Sequence, residues 1–308
     1  MYPDDLEDLE VEDGVGAGSR SGRGRRWRAW LSEFAATAVL LLVMVAVFNC
    51  LFGSGGCAAH LLTGPGRRLA ADAVAGGVTV GLLIVSPFGR CSGGHMNPAV
   101  SLAFWLMGAL PGRDAAGYAV SQLAGSLTGV AVGRLLWGEP VADPAVGFAT
   151  VRAAAGMPWW AVFASEAAAT VLMLAAVTFV AARPRAAALL PAVAGAAITV
   201  LILLTGRWTG GSFNPARQFG PELFSHDLGW LWVYLVAPLV GGALFALVRR
   251  RLPHAPPLPG APRPDPDGAP GTTDRTAPRP ERAWRAADGR IRGQHGPAHG
   301  HESACGPR

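Results

Sequence analysis

Long apolar stretches alternate with short polar breaks along most of this chain. Six of the stretches run for about 20 residues, the length that a helix needs to cross a bilayer. They are residues 30–52, 69–88, 113–137, 158–182, 187–205 and 229–249. The pattern predicts an all-α membrane protein with six transmembrane helices.

Two further apolar segments, 97–108 and 214–224, are too short to span a bilayer. Both open with the same tripeptide, as Asn97-Pro98-Ala99 and Asn214-Pro215-Ala216. An asparagine can cap a helix and a proline suits its first turn. We therefore expect two re-entrant half-helices, which a membrane tolerates only where they are buried in protein or line a wet cavity.

The chain repeats its own order of elements. Residues 32–37 (SEFAAT) in span 1 match residues 165–170 (SEAAAT) in span 4, and the two tripeptides follow spans 2 and 5. Each unit, about 30–137 and 158–249, holds three spans, an odd number, so the second copy must be inverted. Inverted repeats place a shared site near the midplane, where the two half-helices would meet.

The two ends of the chain differ from the middle. Residues 1–29 carry an acidic block followed by a basic one, and residues 251–308 are rich in Pro, Gly and Arg without an apolar period. Neither end can bury enough apolar surface to order itself, so we predict two disordered tails. They would flank a channel-like domain at 30–250.

Arginine placement predicts how the spans are oriented. Arginines precede span 1, separate spans 2 and 3 and spans 4 and 5, and follow span 6. Positive residues favour the cytoplasmic side, so both termini are predicted to be cytoplasmic. Arg67 and Arg68 fall on the other side as a minor violation. We expect an integral protein of the plasma (cell) membrane.

Composition agrees with this class. Of 308 residues 51% are hydrophobic and 15% are charged, whereas soluble domains carry about 25% charged residues. The net charge of +5 comes from arginines beside apolar runs, so we predict no nucleic-acid partner. The cysteines fit no metal motif and favour small buried thiols, although Cys50 and Cys57 could pair outside the membrane. No metal or cofactor is expected.

The half-helix ends carry the first candidate chemistry. Two helix N-termini that meet at the midplane present positive dipole ends, which repel a cation and admit a neutral molecule. The amides of Asn97 and Asn214 can donate to a solute oxygen. Arg217 lies three residues after Asn214, on nearly the same helix face. Such an arginine is costly unless it faces a cavity, so we favour a pore-lining donor over a structural ion pair.

Three other residues carry alternatives. Glu33 and Glu166 lie inside spans 1 and 4, where a carboxylate can relay protons or accept from buried backbone N–H groups. Their symmetry favours the second role, each supporting its own half-helix loop. His95 is either a satisfied structural histidine or a gate. No nucleophile–base pair lies in the membrane part, so an enzyme is not expected.

Residues 30–250 resemble the aquaporin (major intrinsic protein) family throughout. Residues 92–100 (SGGHMNPAV) and 210–217 (GGSFNPAR) look like its two signature loops. Gln122, Trp232, Tyr234 and Pro238 also fall where the family has similar residues. The resemblance implies a bundle of six helices and two half-helices, a homotetramer with one pore per subunit, and passage of water and small neutral solutes.

The family's selectivity filter is built from four positions, and the resemblance assigns them here. Counting back from the loops gives Ile202 in span 5, Gly211 in the second loop and Arg217. A one-residue insertion at the end of span 2 leaves the remaining position at Gly76 or Gly77. The filter then has neither the histidine of water-only members nor an aromatic residue.

A filter with so few bulky groups is expected to be wide, with one apolar wall at Ile202. It resembles the plant nodulin-like intrinsic proteins, which pass boric, silicic or arsenous acid. A water-specific aquaporin or a glycerol facilitator with an unusual filter is the alternative. A proton-coupled secondary transporter that uses Glu33 and Glu166 is less favoured.

Overall fold

The computed structural model describes residues 13–252, with side chains described from Arg26 onward. This range is helical and contains no strand. Its α-helices are α1 (Asp13–Phe52), α2 (Pro65–Val85), α3 (Pro87–Ser92), α4 (Pro98–Leu106), α5 (Gly112–Trp137), α6 (Trp159–Ala181), α7 (Leu190–Thr209), α8 (Pro215–Ser225) and α9 (Leu231–Arg251).

The predicted all-α membrane fold is confirmed. Six of these helices, α1, α2, α5, α6, α7 and α9, are long and apolar enough to cross a membrane. The shorter α4 and α8 are the two half-helices, each beginning at the proline of its tripeptide. Because six spans is an even number, α1 begins and α9 ends at the same face of the bundle, here named the terminal face.

Two boundaries differ from the prediction. Helix α1 begins at Asp13, so residues 13–29, predicted as disordered tail, continue span 1 as helix. Extending an existing helix needs no new nucleus, which lowers the cost of the added turns. Helix α7 continues past 205 to Thr209, where Gly210 adopts a φ of 81° and ends it in the left-handed conformation. Predictions for residues 1–12 and 253–308 lie outside the described range.

Span 2 is interrupted near its end, at the place where the family resemblance implies a one-residue insertion. Helix α2 ends at Val85, and Pro87 begins the separate short helix α3, although the pattern predicts one span to 88. A proline lacks the N–H that would continue the helix and pushes Ser86 into an extended conformation. Helix α7, in the same place of the second repeat, has no such break.

Small residues let the long helices approach closely in matched pairs. A Cβ added to Gly129 of α5 would lie 2.3 Å from the Ala38 carbonyl oxygen of α1. In the second repeat, a Cβ on Gly241 of α9 would lie 2.3 Å from the Ala167 carbonyl oxygen of α6. Such contacts hold membrane helices together where no hydrophobic force favours their association.

The outer surface of the bundle is apolar and suits a lipid bilayer. Large exposed hydrophobic side chains extend along α2, α6, α7 and α9. Exposed tryptophans lie near helix ends, Trp27 and Trp105 toward the terminal face and Trp159, Trp160 and Trp208 toward the opposite face. Tryptophan is enriched at both membrane–water interfaces, so these residues mark the two edges of the lipid-facing belt.

A disulfide bond joins Cys50, near the end of α1, to Cys57 in the following loop. The favoured interpretation from the sequence, small buried thiols, is wrong for these two cysteines, and the pairing that it left open is present. Within the described residues there is no group of three or more His, Cys, Asp or Glu side chains that could hold a metal ion.

Candidate functional site

A cavity of about 250 Å³ runs between the two repeats and is lined by residues of both. The half-helix loops supply Asn97 and Asn214, and α2 and α7 supply Gly76 and Ile202. Arg217 lines the same space. The fold therefore brings both tripeptides and most of the predicted filter residues to one site.

Each asparagine caps its own half-helix. The Asn97 Oδ1 accepts from the Ala99 N–H at 2.9 Å, and the Asn214 Oδ1 accepts from the Ala216 N–H at 3.0 Å. Both asparagines are extended, as is usual for a residue in this position. The capping role predicted for both residues is what the geometry shows.

The asparagine amides also tie the two loops together. The Asn97 Nδ2 donates to the Phe213 carbonyl at 3.0 Å, and the Asn214 Nδ2 donates to the Met96 carbonyl at 2.9 Å. A side-chain amide has two N–H donors, so each asparagine keeps one for a solute in the cavity. Met96 and Phe213 have φ values of 48° and 33°, a strained conformation that these hydrogen bonds help to hold.

Glu33 supports the first loop. It is fully buried, and its carboxylate accepts from the backbone N–H groups of His95 at 2.9 Å and Met96 at 2.7 Å. The Ser92 hydroxyl at 2.6 Å and the Gln122 amide at 2.7 Å also donate to it. Four donors on one carboxylate explain how a buried charge is tolerated inside span 1.

Glu166 supports the second loop in the same way. It is fully buried and accepts from the Ser212 N–H at 3.3 Å and the Phe213 N–H at 2.5 Å. The Thr209 hydroxyl donates to it at 2.8 Å. Neither this carboxylate nor that of Glu33 lines the cavity, which favours the supporting role over a proton relay.

Two tyrosines complete these networks and were assigned no such role from the sequence. The Tyr118 hydroxyl donates to the Ser92 carbonyl, and the Tyr234 hydroxyl donates to the Thr209 carbonyl, both at 2.6 Å. The chain has three tyrosines, and these two follow the asparagines of their repeats by 21 and 20 residues. That spacing is a signal that a search for paired polar residues could have used.

His95 lies in the cavity wall and is held on several sides. Its Nδ1 is 3.1 Å from the Ser101 hydroxyl, and its ring packs against those of Phe104 and Tyr118. Gln122 also reaches the Ser101 hydroxyl, at 3.1 Å, and is fully buried away from the cavity. Gln122 therefore supports the first loop, and His95 is a fixed part of the wall.

Arg217 is nine-tenths buried and directed into the cavity region without an ion pair. Its Nη1 donates to the Ala149 carbonyl at 2.6 Å, and its guanidinium lies 5.3 Å from the centre of the Phe48 ring. The ion pairs of the described side chains do not include it. The remaining N–H donors are free to contact a solute, as the pore-lining interpretation requires.

The structure separates the two glycines that the sequence left as alternatives. A Cβ on Gly76 would lie 3.5 Å from the Ile202 Cδ1 and 3.9 Å from the Met44 Sδ, so Gly76 faces the cavity. A Cβ on Gly77 would lie 2.3 Å from the Gly195 carbonyl oxygen. Gly77 is therefore a contact between α2 and α7 and does not line the cavity.

Two further features of the cavity lining are visible only in the tertiary structure. Met44 of α1 lines the cavity beside Gly76. No sequence pattern distinguishes Met44 from an ordinary core residue. Gly211 lines it from the second loop with a φ of 69°, a conformation that strains any side chain. Helices α1, α2 and α7 together therefore form one part of the cavity wall.

Comparisons with known proteins agree with this arrangement. A family model described as Major intrinsic protein matches residues 21–249. Aquaporin-8 of Mus musculus is 31% identical over 249 residues, which cover 80% of this chain and 91% of that protein. Aquaporin NIP3-1 of Oryza sativa subsp. japonica is 36% identical over 177 residues, 55% of this chain and 53% of that protein.

Among solved structures, the aquaglyceroporin from Plasmodium falciparum superposes with a TM-score of 0.64. The match covers 74% of this chain and 96% of that chain at 22% sequence identity. At that identity the likeness concerns the fold.

Proposed function

This chain belongs to the major intrinsic protein family and is a membrane channel for water and small solutes, and we propose that its filter admits compact, hydroxyl-rich neutral acids such as boric acid. The filter consists of Gly76, Ile202, Gly211 and Arg217. Silicic and arsenous acid share this chemistry, and glycerol is a longer solute of the same hydroxyl-rich kind.

The observation that carries this proposal is the absence of a side chain at Gly76. That position lines the cavity within contact distance of Ile202 and Met44, so a bulky residue there would project into the path. Gly211 lines the same cavity from the second loop. Pore diameter and the lining hydrogen-bond donors set selectivity in such channels, and none of the four proposed filter residues is an aromatic or a histidine.

The polar groups of the filter suit a hydroxylated solute. Arg217 keeps donors beyond the one given to Ala149, and each tripeptide asparagine keeps one amide hydrogen. A hydroxyl oxygen of the solute can accept hydrogen bonds from these groups. Ile202 contacts the apolar side of the path and forms no hydrogen bond with water or solute. Two half-helix dipoles and one arginine disfavour cations at the same place.

Boric acid should enter proteoliposomes containing the channel far faster than it enters empty liposomes. The measurement is stopped-flow light scattering after mixing with hyperosmotic solutions of boric acid, glycerol and sucrose in separate runs. Re-swelling in boric acid supports the wide filter. Fast shrinkage in sucrose with no entry of either solute would instead indicate a water-specific channel.

Solute flux should be the same with and without a pH gradient across the liposome. The oxygens of Glu33 and Glu166 are occupied by loop donors away from the cavity, so neither carboxylate is placed to carry a proton with the solute. A pH-sensitive dye inside the vesicles records the internal pH during boric acid or glycerol entry. Glycerol uptake that acidifies the lumen and follows an imposed gradient would support a proton-coupled transporter.

Assembly and orientation complete the proposal. We propose a homotetramer in the cell membrane with both termini on the cytoplasmic side. Arg26, Arg90, Arg113, Arg183 and Arg249 all lie at or beside helix ends on the terminal face. Positive residues favour the cytoplasmic side, which supports this orientation.

A further inference from the structure

Phe48 of α1 is a buried aromatic residue whose ring faces the guanidinium of Arg217. The centre of the ring lies 5.3 Å from the Arg217 Cζ. A guanidinium over an aromatic ring is attracted by the negative charge of the ring face, most strongly where both groups are out of water. Phe48 does not line the cavity, whereas Arg217 does. An effect of Phe48 on a solute would therefore act through the arginine.

Helix α1 places this ring at the level of the arginine. Met44, one turn earlier on the same helix, lines the cavity. Residues four apart share a face of a helix, so Phe48 lies on that face one turn further from the terminal face. Helix α8 begins at Pro215 and runs in the same direction, which brings Arg217 beside the turn of Phe48.

The hydrogen bond to Ala149 holds the guanidinium of Arg217 at one nitrogen, Nη1. A planar group held at one end can still turn about that bond, and a ring packed on its face restricts the turn. Phe48 belongs to the same buried cluster as Phe148 and Ala149, so the ring and the accepting carbonyl are parts of one packed wall. Together they give the guanidinium one orientation.

The ring of Phe48 is itself held by its neighbours. The ring of Phe52 packs against it with 5.2 Å between the ring centres. The guanidinium of Arg68 lies 5.8 Å from the centre of the Phe52 ring and donates to the carbonyls of Leu62 and Ala59 in the preceding loop. A ring packed in this way can restrain a guanidinium instead of moving with it.

We propose that Phe48 is a positioning residue of the filter, which holds the Arg217 guanidinium against the cavity wall so that its remaining N–H donors face a passing solute. The inference rests on the proposed function, since it takes Arg217 as a filter residue. Without the ring, the guanidinium would also occupy positions in which its donors miss the solute or in which it narrows the path. A solute larger than water should lose more from both effects.

Replacing Phe48 with leucine should lower the ratio of boric acid to water permeability about fivefold in proteoliposomes, within the range of a buried cation–π contact. The change removes the ring face and keeps most of the apolar volume. The matched control is Phe163→Leu on α6. The Phe163 ring packs beside that of Trp232, and the arginine–ring contacts of the described side chains do not include it. Its ratio should equal that of the unmodified channel.

A fluorinated ring keeps the shape of Phe48 and removes its attraction for a cation. Fluorine atoms withdraw negative charge from the ring face while the ring stays planar and nearly the same size. Trifluoro- and pentafluorophenylalanine, introduced at position 48 by stop-codon suppression, should lower the permeability ratio in that order. The same residues at position 163 should leave it unchanged. This series tests the charge of the ring face even if Phe48→Leu yields little folded protein.

A double-variant cycle tests whether Phe48 acts through Arg217. The effect of Phe48→Leu is measured in the unmodified channel and again in the Arg217→Ala channel. If the ring acts by holding the guanidinium, the leucine change should have little further effect on the permeability ratio once the guanidinium is gone. An ordinary packing role predicts the same fold-change in both backgrounds.

The inference is overturned by equal fold-changes in the two backgrounds, or by a pentafluorinated channel that keeps the unmodified ratio. The failure of the proposed function has a different signature. If the unmodified channel excludes boric acid, the metalloid proposal fails, and the cycle is measured with glycerol, or with water alone where glycerol is also excluded. The difference between the two backgrounds then still decides the role of Phe48.

Discussion

Replacing Gly76 with tryptophan should close the channel to boric acid and glycerol while leaving a measurable part of its water permeability. A Cβ at this position would already make ordinary contact with Ile202 at 3.5 Å and Met44 at 3.9 Å. An indole has no room beyond those side chains, so it must project into the pore. Stopped-flow measurements should show solute entry reduced to the level of empty liposomes, because the diameter of the constriction limits the larger solutes first.

Two controls distinguish an effect of pore width from a general effect of substitutions in α2. Gly76→Ala fits the space at ordinary contact distance and should retain solute entry. Val78→Trp adds the same indole two residues later, on a position that is 53% exposed on the outer surface, and should behave like the unmodified channel. Equal losses of water and boric acid in Gly76→Trp would place the constriction elsewhere.

Gly77 and Gly211 are poor sites for the same experiment. A side chain on Gly77 would collide with the Gly195 carbonyl oxygen between α2 and α7, and one on Gly211 would need a φ of 69°. Either variant would disturb the backbone as well as the pore width. Their permeabilities would therefore not report on the filter alone.

Replacing Glu166 with alanine should cost the channel much of its stability. The change leaves two buried backbone N–H groups, of Ser212 and Phe213, and the Thr209 hydroxyl without their acceptor. Each orphaned buried donor costs about 1–3 kcal/mol, so the sum is a large share of the roughly 5–15 kcal/mol that stabilises a folded protein. We expect a much lower melting temperature in detergent and little folded protein after purification.

The matched control for this change is Glu139→Ala. Glu139 has an exposed carboxylate, 84% accessible, that pairs with Arg134 at the surface. Surface ion pairs contribute about 0–1 kcal/mol, so the melting temperature should hardly change. Glu166→Gln, which keeps one oxygen acceptor, should fall between the two. An alanine variant that melts with the unmodified channel would contradict the supporting role of Glu166.

Local patterns along the chain were sufficient for the architecture. The lengths of the apolar stretches predict the six spans, since a helix must bury its backbone groups across the whole bilayer. The Asn-Pro start of each half-helix is a local capping signal, and α4 and α8 begin at those prolines. Glu33 and Glu166 occupy matching positions in the two repeats. Because the repeats fold alike, each carboxylate lies beside the half-helix loop of its own repeat.

Tertiary packing decided which of the predicted filter residues line the cavity. Gly76 and Gly77 are neighbours on one helix, about 100° apart around its axis, and both are glycine, so the pattern could not choose between them. The choice follows from the rotation of α2, which the contact of Gly77 with Gly195 of α7 fixes. Met44 joins the site for the same reason: its own sequence surroundings carry no signal, and only the packed helices turn it toward the cavity.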